Sequence, residues 1–200
     1  MGYDKKRISK ASKAIMRAFF ALKADDVLRD ESNSFERTIA QLTKRIAKLR
    51  LSEGFIKILR EADESIEYLE NNFAVDTTHY LERMAEIGGS IFEKAFDTND
   101  KNLYAIGSQI AAGMTAHDAI QDFKRDFSNR KFTPINSKKD LAIANEYINK
   151  FNMAADHFFP RYARQTSSEE KCFWSTATGC ILLCGGLLFC GLVLFCCCGI

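Results

Sequence analysis

The first 171 residues of this 200-residue chain contain no cysteine; all seven cysteines lie at or after Cys172. A disulfide scaffold would spread its cysteines through the fold, so that class is excluded. Histidine is scarce: His79, His117 and His157 stand far apart, and none shares a run with cysteine at zinc-finger spacing. The sequence therefore offers no metal ligand set and implies no cofactor. Proline is nearly absent, with only Pro134 and Pro160, which leaves long stretches free to be helical. No useful length alternates apolar and polar residues as a strand would. The chain also lacks a phosphate-binding glycine loop, a dinucleotide loop, a nucleophile elbow and an HExxH pair. The reading is all-α and non-enzymatic. The basic N-terminus is not followed by an apolar segment and cleavage site of the secretory kind, so the body is expected in the cytosol.

The last absence is charge. Residues 172–200 hold no ionisable acid or base other than cysteine. The 23 residues from Phe173 to Phe195 suffice to cross a hydrocarbon core of about 30 Å as a helix. Trp174 lies beside Lys171 as an interfacial aromatic would, and Arg161, Arg164 and Lys171 precede the segment with no charge after it. This predicts a transmembrane or re-entrant tail with the body on the cytosolic side of an endomembrane or the plasma membrane. Gly185–Gly186 would permit a bend within one leaflet. Cys172, Cys196, Cys197 and Cys198 are candidate S-acylation sites at the ends of the tail.

What is present is charge in blocks. Residues 1–23 carry seven bases against Asp4 alone. Within residues 5–23, Ile8, Ala11, Ile15, Ala18, Phe19 and Leu22 recur at spacings of three and four, with Lys10, Lys13 and Arg17 opposite. This is a basic amphipathic helix, suited to an anionic lipid surface or to packing on the body. Residues 61–100 hold eleven acids against Arg83 and Lys94, and residues 121–139 return six bases against two acids. Such segregation lets one sign of charge face an anionic surface. Aromatic residues follow helical core spacing and do not interleave with the bases, so nucleic acid is not an expected partner.

From Ser34 onward, Phe35, Ile39, Leu42, Ile46, Leu49, Ile56, Leu59, Ile66, Leu69 and Phe73 trace a seam of threes and fours with two gaps of seven. It predicts a coiled-coil-like helix over 34–73 of roughly 60 Å, whose seam needs a partner along its length. Further helices are predicted over 76–96, where Gly88–Gly89 invites a kink or a close crossing, over about 103–127, and from Asp140 to about Tyr162 beyond Pro134.

This order resembles the N-BAR domain of amphiphysin-like and endophilin-like proteins. After the basic start come Lys23-Ala24-Asp25-Asp26 and Phe35-Glu36. Later come Phe132-Thr133-Pro134-Ile135, Lys138-Lys139-Asp140-Leu141, Asp156-His157-Phe158 and Arg161-Tyr162-Ala163-Arg164. The resemblance covers roughly residues 5–165 and lacks the family's third long helix, because the tail follows too soon. It implies long kinked helices in an elongated antiparallel bundle, and a crescent-shaped homodimer that binds, senses or bends anionic membranes in trafficking or endocytosis. Trafficking proteins would be its further partners. Carried onto this chain, Ile8, Ile15, Phe19 and Leu22 would insert. Lys5, Lys6, Arg7, Lys10, Lys13 and Arg17 would meet headgroups, and Lys124, Arg125, Arg130, Lys131, Lys138 and Lys139 would line the concave face. The expected organisation is an amphipathic helix over 1–23, a BAR-like domain over 24–165, and a linker and tail over 166–200. The competing function is a tail-anchored adaptor or membrane-fusion factor that binds a protein partner.

Overall fold

The computed structural model describes residues 4–30, 34–72, 76–129 and 131–163, and at residues 5, 30, 124, 125 and 155–163 the backbone alone. Six helices make up the described residues: α1 (Lys5–Asp30), α2 (Ser34–Lys48), α3 (Glu53–Asn71), α4 (Thr77–Phe96), α5 (Lys101–Ser128) and α6 (Lys138–Ala163). There is no strand among the described residues, so the all-α expectation stands. The chain divides into two compact units, one of Met1–Leu59 with Arg161–Ile200 and one of Arg60–Pro160.

In the first unit, α1 packs along α2. Asp25 pairs with Lys44, and the Arg37 guanidinium donates to the Leu28 carbonyl at 2.9 Å. Later residues of α1 thus meet earlier residues of α2, and the two helices run antiparallel. The buried face of α1 is rich in small residues, with Ala11, Ala18, Ala21 and Ala24 fully covered. Ala40 and Ala47 are the buried positions of α2. Small side chains allow the two backbones to approach closely.

The second unit is organised around α4. Asp76 caps its start by accepting from the His79 amide at 2.9 Å. Asp97 closes its end in the left-handed conformation, with φ 48°. α4 is continuous through Gly88–Gly89 and packs closely on α5 there. A β-carbon on Gly88 would strike the Ala111 methyl and the Gly107 carbonyl, and one on Gly89 would lie 2.6 Å from the Tyr104 ring. α5 meets α6 the same way, at Gly113 against Phe151. Leu69, Tyr80, Leu81, Ala116, Ile135 and Ala144 form a buried cluster, with Phe123, Phe132 and Tyr147 packed around it. The Thr77 hydroxyl, in a side chain only 1% exposed, donates to the Pro134 carbonyl at 2.5 Å and fixes the α5–α6 connection onto α4.

Three expectations need correction. The helix expected over 34–73 is two helices. The chain turns at Leu49–Ser52, where the Leu51 amide reaches the Lys48 carbonyl and the Ser52 carbonyl accepts the first bonds of α3. Serine is a favoured residue at that start. The turn falls in the first of the seam's two seven-residue gaps, between Leu49 and Ile56, so the coiled-coil-like rod is lost. The longest helix, α5, has 28 residues, or about 42 Å.

The N-BAR resemblance falls with it. That family needs long continuous helices in an elongated antiparallel bundle, whereas here helices of 15 to 28 residues pack chiefly on their sequence neighbours. The crescent scaffold, its curvature sensing and its endocytic association lose their structural basis. The homodimer loses the argument from a 60 Å seam.

Finally, no helix of the described residues is long and apolar enough to cross a membrane, so the transmembrane expectation finds no span there. The tail for which it was made lies outside the described residues.

Candidate interaction surface

The helical periodicity over 5–23 predicts α1 correctly, but the structure turns its apolar face inward. Ile8 and Ile15 are each 2% exposed and Leu22 is 9% exposed. Phe19 is half-buried. Of the two readings open for this helix, packing on the body is the one the structure displays. On its outer side Lys6, Arg7, Lys10 and Lys13 are exposed, and Arg17 is half-buried. Lys5 begins the helix, where Asp4 accepts from the Arg7 amide at 2.7 Å.

α2 is reversed with respect to its sequence pattern. Its stripe of Ile39, Leu42, Ile46 and Leu49 reads as a core face. The side held against α1 is instead the small and cationic one: Ala40, Ala47, Lys44 and Lys48. The cause is Asp25 on α1, only 3% exposed. A carboxylate in that position requires compensating charge. Lys44 supplies it by contact with Oδ1, and Lys48 Nζ stands 3.7 Å from Oδ2. Turning both lysines inward turns the apolar stripe outward. Leu42 is left 57% exposed and Leu49 79%, with Ile39 and Ile46 half-buried. Arg45 and Arg50 are exposed beside them.

The second group of predicted bases lies elsewhere. Lys138 and Lys139 occupy the first turn of α6, exposed, and Lys131 is half-buried in the connection before it. Lys124 and Arg125 belong to α5. Arg130, Cys172, Cys196, Cys197 and Cys198 lie outside the described residues. Thus the α1 bases belong to the first unit and the Lys131, Lys138 and Lys139 group to the second.

Two cations in the first turn of a helix oppose its dipole, and Asp140 offsets them. Ser137 and Asp140 form a reciprocal cap. The Asp140 amide donates to Ser137 Oγ at 3.2 Å, the Ser137 hydroxyl donates back at 2.8 Å, and the Asn136 amide donates to Asp140 at 3.0 Å. Partial burial pushes the Asp140 carboxyl up, but the hydrogen bonds from Ser137 and Asn136 outweigh it. They hold the group below the usual carboxylate range.

Three of the buried polar groups serve the fold. Of the four among the described residues, Asp25 holds α2, Thr77 holds Pro134, and the Thr133 hydroxyl bonds within its own turn to Ile135. His117 faces Gln121 one turn along α5 at 3.4 Å. Among the described residues no group of His, Cys, Asp and Glu is placed to hold a metal ion.

Sequence reasoning missed the outward stripe of α2 because periodicity identifies an apolar face without saying which side is covered. A signal did exist. Ala40 and Ala47 are one heptad apart and match the alanine-rich face of α1, while Lys44 lies between them opposite an aspartate.

Charge changes sign between the units. Residues 1–59 carry fourteen Lys and Arg against seven Asp and Glu, and residues 60–160 carry eleven against seventeen.

No family model matches the chain, and neither does any curated protein or solved structure.

Proposed function

We propose that the chain is a non-enzymatic binding protein held on the cytosolic face of a membrane by its C-terminal tail. Its basic first unit meets anionic lipid and its acidic second unit is displayed to a protein partner. The observation that carries this reading is the change in sign of net charge at the unit boundary, in a chain that ends in 29 uncharged residues. An anionic bilayer attracts the first unit, each base near its surface contributing about 1 kcal/mol, and repels the second. The adaptor reading takes precedence over membrane bending because the long-helix scaffold that bending required is absent among the described residues.

Flotation with vesicles tests the proposal. The full-length protein should float with vesicles and stay bound through carbonate washing. A chain lacking residues 172–200 should bind only vesicles containing anionic lipid, and should be released by salt. Release of the full-length protein by carbonate would defeat the anchoring role of the tail. Salt-independent binding of the shortened chain to zwitterionic vesicles would defeat the electrostatic role of the first unit.

A further inference from the structure

The exposed face of α2 is apolar in its middle and basic at its rim. Ile39, Leu42 and Ile46, with Leu49 directly after the last residue of α2 and its amide still bonded to the Arg45 carbonyl, form a stripe about 15 Å long at 1.5 Å per residue. Residues 34–50 carry five bases against Glu36 alone. Lys44 and Lys48 are committed to Asp25 and Arg37 donates to the Leu28 carbonyl, which leaves Arg45 within the stripe and Arg50 just after it, both exposed. We propose that this face of α2 docks on the headgroup region of an anionic bilayer, so that α2, and not α1, is the helix that lies in the interface. The proposal deepens the membrane-binding reading above and rests on it.

Three observations favour lipid. The first is charge complementarity: an apolar stripe with an arginine rim is what an amphipathic helix presents to headgroup phosphates above acyl chains. The second is competition within the chain. The corresponding face of α1 is covered, with Ile8, Ile15 and Leu22 buried, and exposing it would require the first unit to open. The face of α2 is exposed in the folded unit. The third weighs against a second copy of the chain. In a two-fold antiparallel pairing of this stripe, residues near its centre meet their own symmetry mates. Arg45 would then approach Arg45 of the other copy, and the segment has only Glu36 to offset that repulsion.

The chain has a single tryptophan, Trp174, which permits a direct test in the full-length protein. With Trp174→Phe as background, Leu42→Trp or Leu49→Trp reports on the stripe. Both sites are exposed enough to take the larger ring, and having two protects the test if either variant folds poorly. Met153→Trp, at a site 73% exposed in the second unit, is the control. Each protein is bound to vesicles brominated near the headgroup end of the acyl chain, and flotation is scored in parallel.

The expected result is a blue shift and loss of emission at positions 42 and 49 on anionic vesicles at low salt. Emission should recover at high salt while the protein still floats, and position 153 should be unaffected. Unquenched emission from floating protein at both stripe positions overturns the docking of α2 and leaves the membrane reading intact. Equal quenching at 153 also overturns the assignment to α2. A lipid-free blue shift that grows with protein concentration makes a second copy the occupant. A lipid-free shift independent of concentration makes it another part of the same chain. Either of those results overturns the proposal. Failure to float overturns the membrane reading and this inference with it.

Discussion

Replacing Gly88 with alanine tests the tightest feature of the second unit. The new β-carbon would strike the Ala111 methyl and the Gly107 carbonyl oxygen on α5. Neither can rotate away, because one is a methyl fixed to the backbone and the other is backbone. Relief requires α4 and α5 to separate. Overpacking of this kind costs about 1–3 kcal/mol, and rigid contacts on both sides put it near the upper figure. The same change removes a mid-helix glycine, which returns about 1 kcal/mol. The net loss is about 2 kcal/mol. For a chain of this size that lowers Tm by about 4–8 °C.

Thermal melting of the full-length protein in detergent micelles, followed by circular dichroism, reads the change. Ser90→Ala, two residues along the same helix, is the control and should stay within about 0.5 kcal/mol of the parent. Combining Gly88→Ala with Ala111→Gly should restore part of the loss, because one of the two clashes is removed and the sites are coupled. A Gly88→Ala protein that melts at or above the parent temperature would refute backbone contact between α4 and α5 at this point.

Two further substitutions probe the polar contacts. Lys44→Met leaves the Asp25 carboxylate buried with Lys48 as its remaining cation at 3.7 Å; it should cost about 3 kcal/mol in urea unfolding, and Lys48→Met should cost less. Asp140→Asn should remove an acid-sensitive contribution. The folded carboxyl titrates below its ordinary value, so its stabilisation is present above the unfolded value of about 4 and is lost as pH falls through the folded one. The difference in Tm between parent and variant should therefore narrow as pH drops below about 4, and a constant difference would refute the role given to its hydrogen bonds.

Much of the helical layout could be read from spacing. Tyr80 to Phe96 and Leu103 to Phe127 mark α4 and α5, and Pro134 marks the break before α6. Periodicity reports phase within a helix and is blind to a turn that nearly preserves it. Leu49 and Ile56 are seven residues apart, so the seam reads straight across the turn at 49–52. The faces differ on either side. In α3, Phe55, Leu59, Ala62, Ile66 and Leu69 are buried, whereas in α2 the stripe looks outward. Asp25 decided that, and a single aspartate in a helix carries no mark of its burial in sequence. The close crossing at Gly88 was legible, but its partner position Gly107 was not, because an isolated helical glycine signals no particular neighbour. The N-BAR resemblance failed for a related reason: amphipathic helices in similar order match one another whether or not the turns between them coincide.

The boundary between the units, at Leu59–Arg60, falls inside α3. Severing the chain there would leave the last four carbonyls of one stump and the first four amides of the other without helical partners. It would also divide a run of buried side chains from Phe55 to Leu69. Dissection of this protein into expressible fragments should follow its turns and not its contact boundary. The turn at Leu49–Ser52 offers a cut that keeps α3 whole with the acidic unit, and a fragment beginning there carries its own helix start at Ser52.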